Sequence, residues 1–529
     1  MKNPVLKGFN PDPSLTRVGK TYYMATSTFE WYPGVQIFAS EDLVNWRLIT
    51  RPLSESRLLN LEGVPDSCGV WAPCLSHNNG KFWLAYTVVR RFDGNFKDTH
   101  NFLTTAESID GPWSDPIFIN SSGFDPSLFH ARDGRKWWLN MIWDHRTDKH
   151  PFYGIVAQEF DAENATLVGN VHHIFEGSSI RLTEGPHLYE IGDYFYLVVA
   201  EGGTGYNHAV SIARSKNLLG PYEADPKGAV MTAADNPEWP LQRSGHGAIV
   251  ALDDNKFVLS FLCSRRTSKM PDSPMGRESG LSNVELTDDG WIRQSGEGSL
   301  PPLEFESPHQ SPPATTDAEW SHDFNSPTLP PQFQWLRTPK VNNLCTLTER
   351  PGFLRLMGRE SPGSLFEHSL VATRQTEHNF RAETCIEFEP DNFQQMAGLM
   401  LYYNSRKFHY LFISVEPGLG KYIGVMSCLA SSDLKTDQYI KNRIPVESNR
   451  PIALAVDVKE THAQFMFRMD ASTQFRSAGP LLDMSILTDH AGMDEGEQFT
   501  GTFVGMAAHD VTGCGKSADF DYFEVINRL

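Results

Sequence analysis

The sequence predicts an all-β chain, a five-bladed β-propeller followed by a two-sheet β-sandwich. Three observations predict it. A turn followed by a burst of aromatic and aliphatic residues recurs five times in the first 300 residues. A proline-rich break follows the fifth copy. Beyond the break, short segments alternate between polar and apolar positions with a period of two. Composition agrees: 41 Gly and 34 Pro in 529 residues favour many turns over long helices.

The five copies begin at Gly19-Lys20-Thr21-Tyr22-Tyr23-Met24, Gly80-Lys81-Phe82-Trp83-Leu84-Ala85, Gly134-Arg135-Lys136-Trp137-Trp138-Leu139, Gly192-Asp193-Tyr194-Phe195-Tyr196-Leu197 and Asn255-Lys256-Phe257-Val258-Leu259, spaced 54 to 63 residues apart. Each reads as a hairpin turn entering a buried strand. Further strands follow, such as residues 35–40 and 210–214. Repeats of about this length, each rich in strands, suit radial repetition around an axis. Residues 1–300 are assigned to the propeller and 301–318 to a proline-rich linker. Residues 319–529 are assigned to the sandwich, where 382–388 and 452–458 alternate as strands with two faces.

Charge and cysteine content narrow the partners. With 46 Lys+Arg against 65 Asp+Glu the net charge is −19, which disfavours nucleic acid or an anionic membrane as the main partner. Aromatic residues make up 12% of the chain, which suits a neutral sugar ligand. The N-terminus carries no apolar run of signal-peptide length, and no stretch of about 18 apolar residues occurs. The seven cysteines are scattered without a Cys-x-x-Cys pair. A cytoplasmic protein is expected.

Seven to nine residues before each turn lies the start of another short strand, innermost if the blades are real. The matching positions are Asp12, Ala72, Asp125, Glu184 and His246. Taken singly, each Asp-Pro-Ser string is an ordinary turn, and a histidine between glycines is an ordinary core residue. Three acids at one repeat position are harder to assign to turns, because clustered like charges are costly unless chemistry or a cation requires them. Two chemistries remain open: glycoside hydrolysis by paired carboxyls, and a calcium or magnesium site built from oxygen ligands. The aromatics Phe29, Trp31, Trp71, Trp138 and Trp143 lie near these strands. They favour a sugar, although Trp138 reads better as blade packing.

The ordered series Asn10-Pro11-Asp12-Pro13-Ser14, Gly69-Val70-Trp71-Ala72-Pro73, Gly123-Phe124-Asp125-Pro126-Ser127 and Thr183-Glu184-Gly185-Pro186-His187 resembles glycoside hydrolase family 43. With Gly276-Arg277-Glu278 and the segment Phe499 to Met506, the chain is similar to the β-xylosidases of that family, whose propeller carries a concanavalin A-like jelly-roll sandwich. The resemblance implies an inverting exo-hydrolase releasing xylose from non-reducing ends of β-1,4-xylo-oligosaccharides, with α-L-arabinofuranosidase side activity. Rival readings are a predominantly arabinofuranosidase enzyme and a non-catalytic sugar-binding propeller. By the same likeness Asp12 is the general base, Glu184 the general acid, and Asp125 the group that orients the acid and raises its pKa. Arg277, Trp71, Phe29, Trp143 and His246 would bind substrate. Phe503 would be inserted toward the pocket by the sandwich. No cofactor is required by this likeness, and a calcium or other divalent cation near His246 on the axis is compatible with it. Related enzymes are often dimers or tetramers, so a homo-oligomer is compatible with the likeness.

Overall fold

The computed structural model describes every residue except 254, 297, 311–318, 431–442, 448, 471–472, 493–497 and 529. Among the described residues, five antiparallel sheets, each with a path of four strands, follow one another from Ser14 to Gln294. Their innermost strands are Ser14–Val18, Gly69–Asn78, Ser127–His130, Glu184–Ile191 and Leu241–Gly245, the last continued by Ile249–Ala251. The first packs against the second, the second against the third and the third against the fourth. Tyr189 of the fourth accepts a hydrogen bond from the Ile249 amide at 2.9 Å. Ile249–Ala251 packs back on Ser14–Val18, which closes the propeller.

The repeat glycines explain the hairpins. Gly19, Gly80, Gly134 and Gly192 all have positive φ, from 58° to 92°, and a Cβ there would meet nothing within 4 Å. Glycine is present for its left-handed backbone and not for space. Each turn joins an innermost strand to the next strand outward in the same blade.

The same five strands are interrupted at one level. Strand pairing shifts between Trp71 and Cys74 across Pro73, and between Glu184 and His187 across Pro186. In blades one and three the ladder begins only after Asp12-Pro13 and Asp125-Pro126. In blade five it breaks at Gly245-His246-Gly247. Proline has no N–H to give to a ladder and fixes its own φ, so in four blades the interruption frees the preceding backbone to turn away from sheet geometry, and in the fifth two glycines flank the break.

The second domain is a sandwich of two antiparallel sheets, one with nine described strands and one with six. The strand Asn379–Glu387 alternates buried and partly exposed residues along its whole length. In the six-stranded sheet both faces are covered. Leu399, Leu401 and Tyr403 of Gln395–Asn404 point into the sandwich core, while Met400 and Tyr402 face the propeller with Phe9, Phe29 and Trp31. This double burial joins the domains.

The seam is also polar. Trp335–Leu336 pairs with Trp31–Tyr32 of blade one. The fully buried Arg337 donates its amide to Glu30 O (2.9 Å) and its guanidinium to Val64 O (2.6 Å) and Asp66 (2.7 Å). The proline-rich linker expected over 301–318 is fixed at its start. Glu304 bridges Lys2, the Phe305 amide bonds Met1 O, and the Phe305 side chain is buried, so this end of the segment is clamped to the N-terminus. Residues 311–318 lie outside the described residues.

Candidate active site

The interrupted ends of the inner strands meet at one mouth of the propeller. They form a cavity of about 230 Å³ that contains Asp12, Asp125, Glu184, His246 and Arg277. All five are at most 7% exposed. Asp12, Asp125, Gly185 and His246 have φ between +40° and +57°, a region that non-glycine residues occupy only when surrounding structure forces them. A Cβ on Gly185 would stand 2.8 Å from the His246 ring. Glycine there lets the two inner strands approach each other.

The three acids have unlike surroundings. Asp12 accepts Ser27 Oγ on one oxygen and Arg277 Nη1 at 3.0 Å on the other, with His246 Nδ1 3.8 Å away. Burial raises its pKa, but Arg277, His246 and Ser27 outweigh burial and hold the carboxyl below its ordinary range. Asp125 accepts the Gly185 amide at 3.2 Å. Burial, then the negative charge of Glu184, then that of Asp12, push it well above the ordinary range. Asp125 and Glu184 therefore titrate as a pair that keeps a proton which two solvated carboxyls would lose. The approach to Glu184 is held by the buried Glu201, which accepts Thr183 Oγ1 at 2.9 Å and the Ser178 amide at 2.7 Å.

Aromatic walls complete the pocket. Phe29, Trp71, Phe124, Trp143 and Phe152 come from the propeller, and Phe499 comes from the sandwich. Trp71 packs against Phe29, Phe124 and Phe499, with ring centroids 5.3–5.9 Å apart. Arg277 lies over Phe29 at 5.2 Å and donates Nη2 to Phe499 O at 3.1 Å. Gly276 sits so close to Thr500 that a Cβ would fall 2.1 Å from its carbonyl. The second domain therefore touches the residue that holds Asp12.

The model for glycosyl hydrolases family 43 matches residues 1–292, and that for the β-xylosidase C-terminal concanavalin A-like domain matches residues 321–526. The chain belongs to glycosyl hydrolase family 43. It is 46% identical to Xylosidase/arabinosidase 43B of Humicola insolens, over 99% of this chain and 97% of that one. It is 40% identical to a xylan 1,3-beta-xylosidase of a Vibrio species, over 100% and 99%. The crystal structure of xylan beta-1,4-xylosidase from Bacillus halodurans C-125 superposes with a TM-score of 0.95 at 43% identity, covering all of both chains.

This family 43 glycosidase places eight of the nine sequence-expected residues at the pocket: Asp12, Phe29, Trp71, Asp125, Trp143, Glu184, His246 and Arg277. Phe503 is a correction. Its ring stacks on Trp31, centroids 3.6 Å apart and planes 12° from parallel, and it is fully buried behind the pocket. It begins the strand Phe503–Asp510 and packs on the propeller there, whereas Phe499 lies four residues earlier in the preceding loop and reaches the pocket. Trp138 is buried between blades, as its blade-packing reading expects.

Sequence reasoning missed Lys97, Phe152, Leu182, Thr204 and His208. His208 is pushed down to about 3 by burial and then by His246 and Arg277, so it stands neutral beside the acids. Its signal was present in Gly245, whose missing Cβ makes room for the His208 ring. Among the described residues, no group of three or more His, Cys, Asp and Glu side chains is arranged to hold a metal ion. Family 43 chemistry of this kind calls for no cofactor.

Proposed function

We propose that this chain is an inverting exo-β-xylosidase that removes xylose from the non-reducing ends of short β-linked xylo-oligosaccharides. One observation carries the reading: a single pocket holds one carboxyl kept ionised, Asp12, and a second pair, Asp125 and Glu184, that retains a proton. Inverting hydrolysis needs that division, a base for water and an acid for the leaving oxygen.

In the proposed reaction Asp12 takes a proton from a water molecule on one face of the sugar ring. Arg277 and Ser27 fix its two oxygens so that it meets the water in a set orientation. Glu184 gives its proton to the glycosidic oxygen on the other face, and the bond from that oxygen to the anomeric carbon breaks. The charge of Asp125 disfavours ionisation of its neighbour and so keeps the acid loaded near neutral pH. Trp71, Phe29 and Phe499 present flat faces to the C–H surface of the ring. Phe499 and its loop wall off one side, so the site receives a chain end and not the middle of a polymer.

The names of the relatives support xylosides as substrate and leave linkage and arabinose tolerance to experiment. Arabinofuranosidase side activity is the second reading, favoured by the Humicola relative. Product analysis by NMR on β-1,4- and β-1,3-xylobiose and on an arabinofuranoside tests all of this. The expected first product is α-xylose. First appearance of β-xylose overturns inversion, and cleavage of the arabinofuranoside alone overturns the xylosidase reading. We also propose that hydrolysis proceeds without a resident cation at His246, because Arg277 already supplies positive charge to Asp12. A chelator is expected to leave turnover unchanged, and loss of turnover restored by calcium would overturn that.

A further inference from the structure

Next in the chain to the pocket residues Lys97 and Trp143 stands a pair of rings that the catalytic site leaves unused. Phe96 is 61% exposed, and its ring stacks on His145 with centroids 4.7 Å apart and planes 22° from parallel. A single exposed phenylalanine is ordinary. This one is positioned from both sides, next to the site. It directly precedes Lys97, which lines the pocket, and His145 follows the pocket residue Trp143 by two. At 3.8 Å between consecutive Cα atoms, the pair stands within roughly 8 Å of chain from the wall.

The two loops that carry the rings are tied together. Trp143 Nε1 donates to Asn95 O at 2.8 Å, and the Lys97 ammonium lies 4.1 Å above the Trp143 ring and donates to Phe92 O at 2.6 Å. On the other loop, Asp144 accepts the Arg146 amide at 3.0 Å and its Nε at 2.8 Å, while the Asp144 amide donates to Pro151 O at 2.7 Å. These bonds set the turn from which His145 projects.

We propose that Phe96 and His145 form a stacking platform for the sugar ring that lies beyond the leaving-group unit, so that they determine preference for oligosaccharide length. The inference rests on the xylosidase reading. A β-linked pyranose presents an apolar C–H face, and leaving Phe96 open to water is costly until such a face covers it. A disaccharide or an aryl xyloside ends before reaching the platform, whereas a trisaccharide extends onto it.

The test compares kcat/KM for xylotriose and xylotetraose with that for 4-nitrophenyl xyloside in the wild type, Phe96→Ala, His145→Ala and Phe96→Trp. The ratio of long to short substrate is expected to fall about fivefold to tenfold in the two alanine variants, the effect of losing one ring contact, and to be kept in Phe96→Trp. An unchanged ratio, or an equal loss on every substrate, overturns the platform. So does a change in sedimentation mass with the ratio intact, which would assign Phe96 to contact with a second copy. Wild-type failure on all the xylosides overturns the xylosidase reading itself, a result distinct from a flat ratio in an active enzyme.

Discussion

The two ends of the propeller axis are lined by the same five inner strands and hold unlike cavities. The far mouth is larger, about 570 Å³ against about 230 Å³. Its lining is mostly Ser14, Thr16, Ser76, Ser127, Tyr189 and Ile249 with their neighbours, and Glu190 is its one acid, placed 3.6 Å from Arg132. The smaller mouth holds three buried carboxyls, a histidine and an arginine. At the far end the ladders are regular, for example Leu15 opposite Met24 and Leu128 opposite Trp138. At the near end they are broken by Pro13, Pro73, Pro126, Pro186 and the Gly245–Gly247 turn. A regular strand satisfies its backbone and spends its side chains on packing; a broken one releases a side chain toward the axis. The larger cavity is not the one with the acids; the breaks in the ladder mark the end that holds them.

The sharpest way to break this comparison is to remove acids at one end and a polar group at the other. Asp12→Ala and Glu184→Ala are each expected to lower kcat on a nitrophenyl xyloside by about 10²–10⁴-fold. Ser76→Ala, which removes a hydrogen bond to His130 at the far mouth, is expected to stay within about twofold. Comparable losses at both ends would remove the distinction.

A smaller effect follows from charge. Asp125→Asn deletes the negative charge beside Glu184 and leaves its shape. The acid then ionises more readily, so the alkaline limb of the kcat/KM profile is expected to move to lower pH, with about a tenfold loss at the optimum. An alkaline limb that stays in place, or moves up, would take Asp125 out of the control of the acid.

The smallest effect on chemistry separates the two sandwich aromatics. Phe499→Ala is expected to raise KM by about tenfold with the urea midpoint little changed. Phe503→Ala removes a buried ring stacked on Trp31 and is expected to cost ~3–5 kcal/mol of stability, seen as a lower urea midpoint with KM retained. The opposite pattern would restore Phe503 to the pocket.

How much of this was legible depended on the kind of signal. The acids were legible because a repeat places equivalent residues at equivalent heights, so register alone gathered Asp12, Asp125 and Glu184 at one mouth. Phe29, Trp71 and Trp143 followed from nearness to those strands. Phe503 misled because two aromatics four apart look alike in sequence, and the difference between them is where the strand begins. Lys97, Phe152 and Thr204 lie outside the repeated position and had no pattern to reveal them, and His208 had only the glycine at 245 to mark it. The segment 301–318 read as linker because proline marks both a flexible connection and a fixed one, and at its start the pairing of Glu304 with Lys2 and of Phe305 with Met1 distinguishes the two.

By itself, the sequence determined the local grammar: glycines where φ must be positive, prolines where a ladder must stop, alternation where a sheet has two faces. These choices are made within a few residues, by sterics and by hydrogen bonding to near neighbours. The tertiary structure decided what those pieces meet across hundreds of residues. Arg277 reaches Asp12, Phe499 reaches Trp71, Arg337 fills the seam between the domains, and Asp125 and Glu184 keep one proton between them because the two carboxyls are folded against each other. Burial and Coulomb interactions depend on distances in space, and only the folded chain sets those distances.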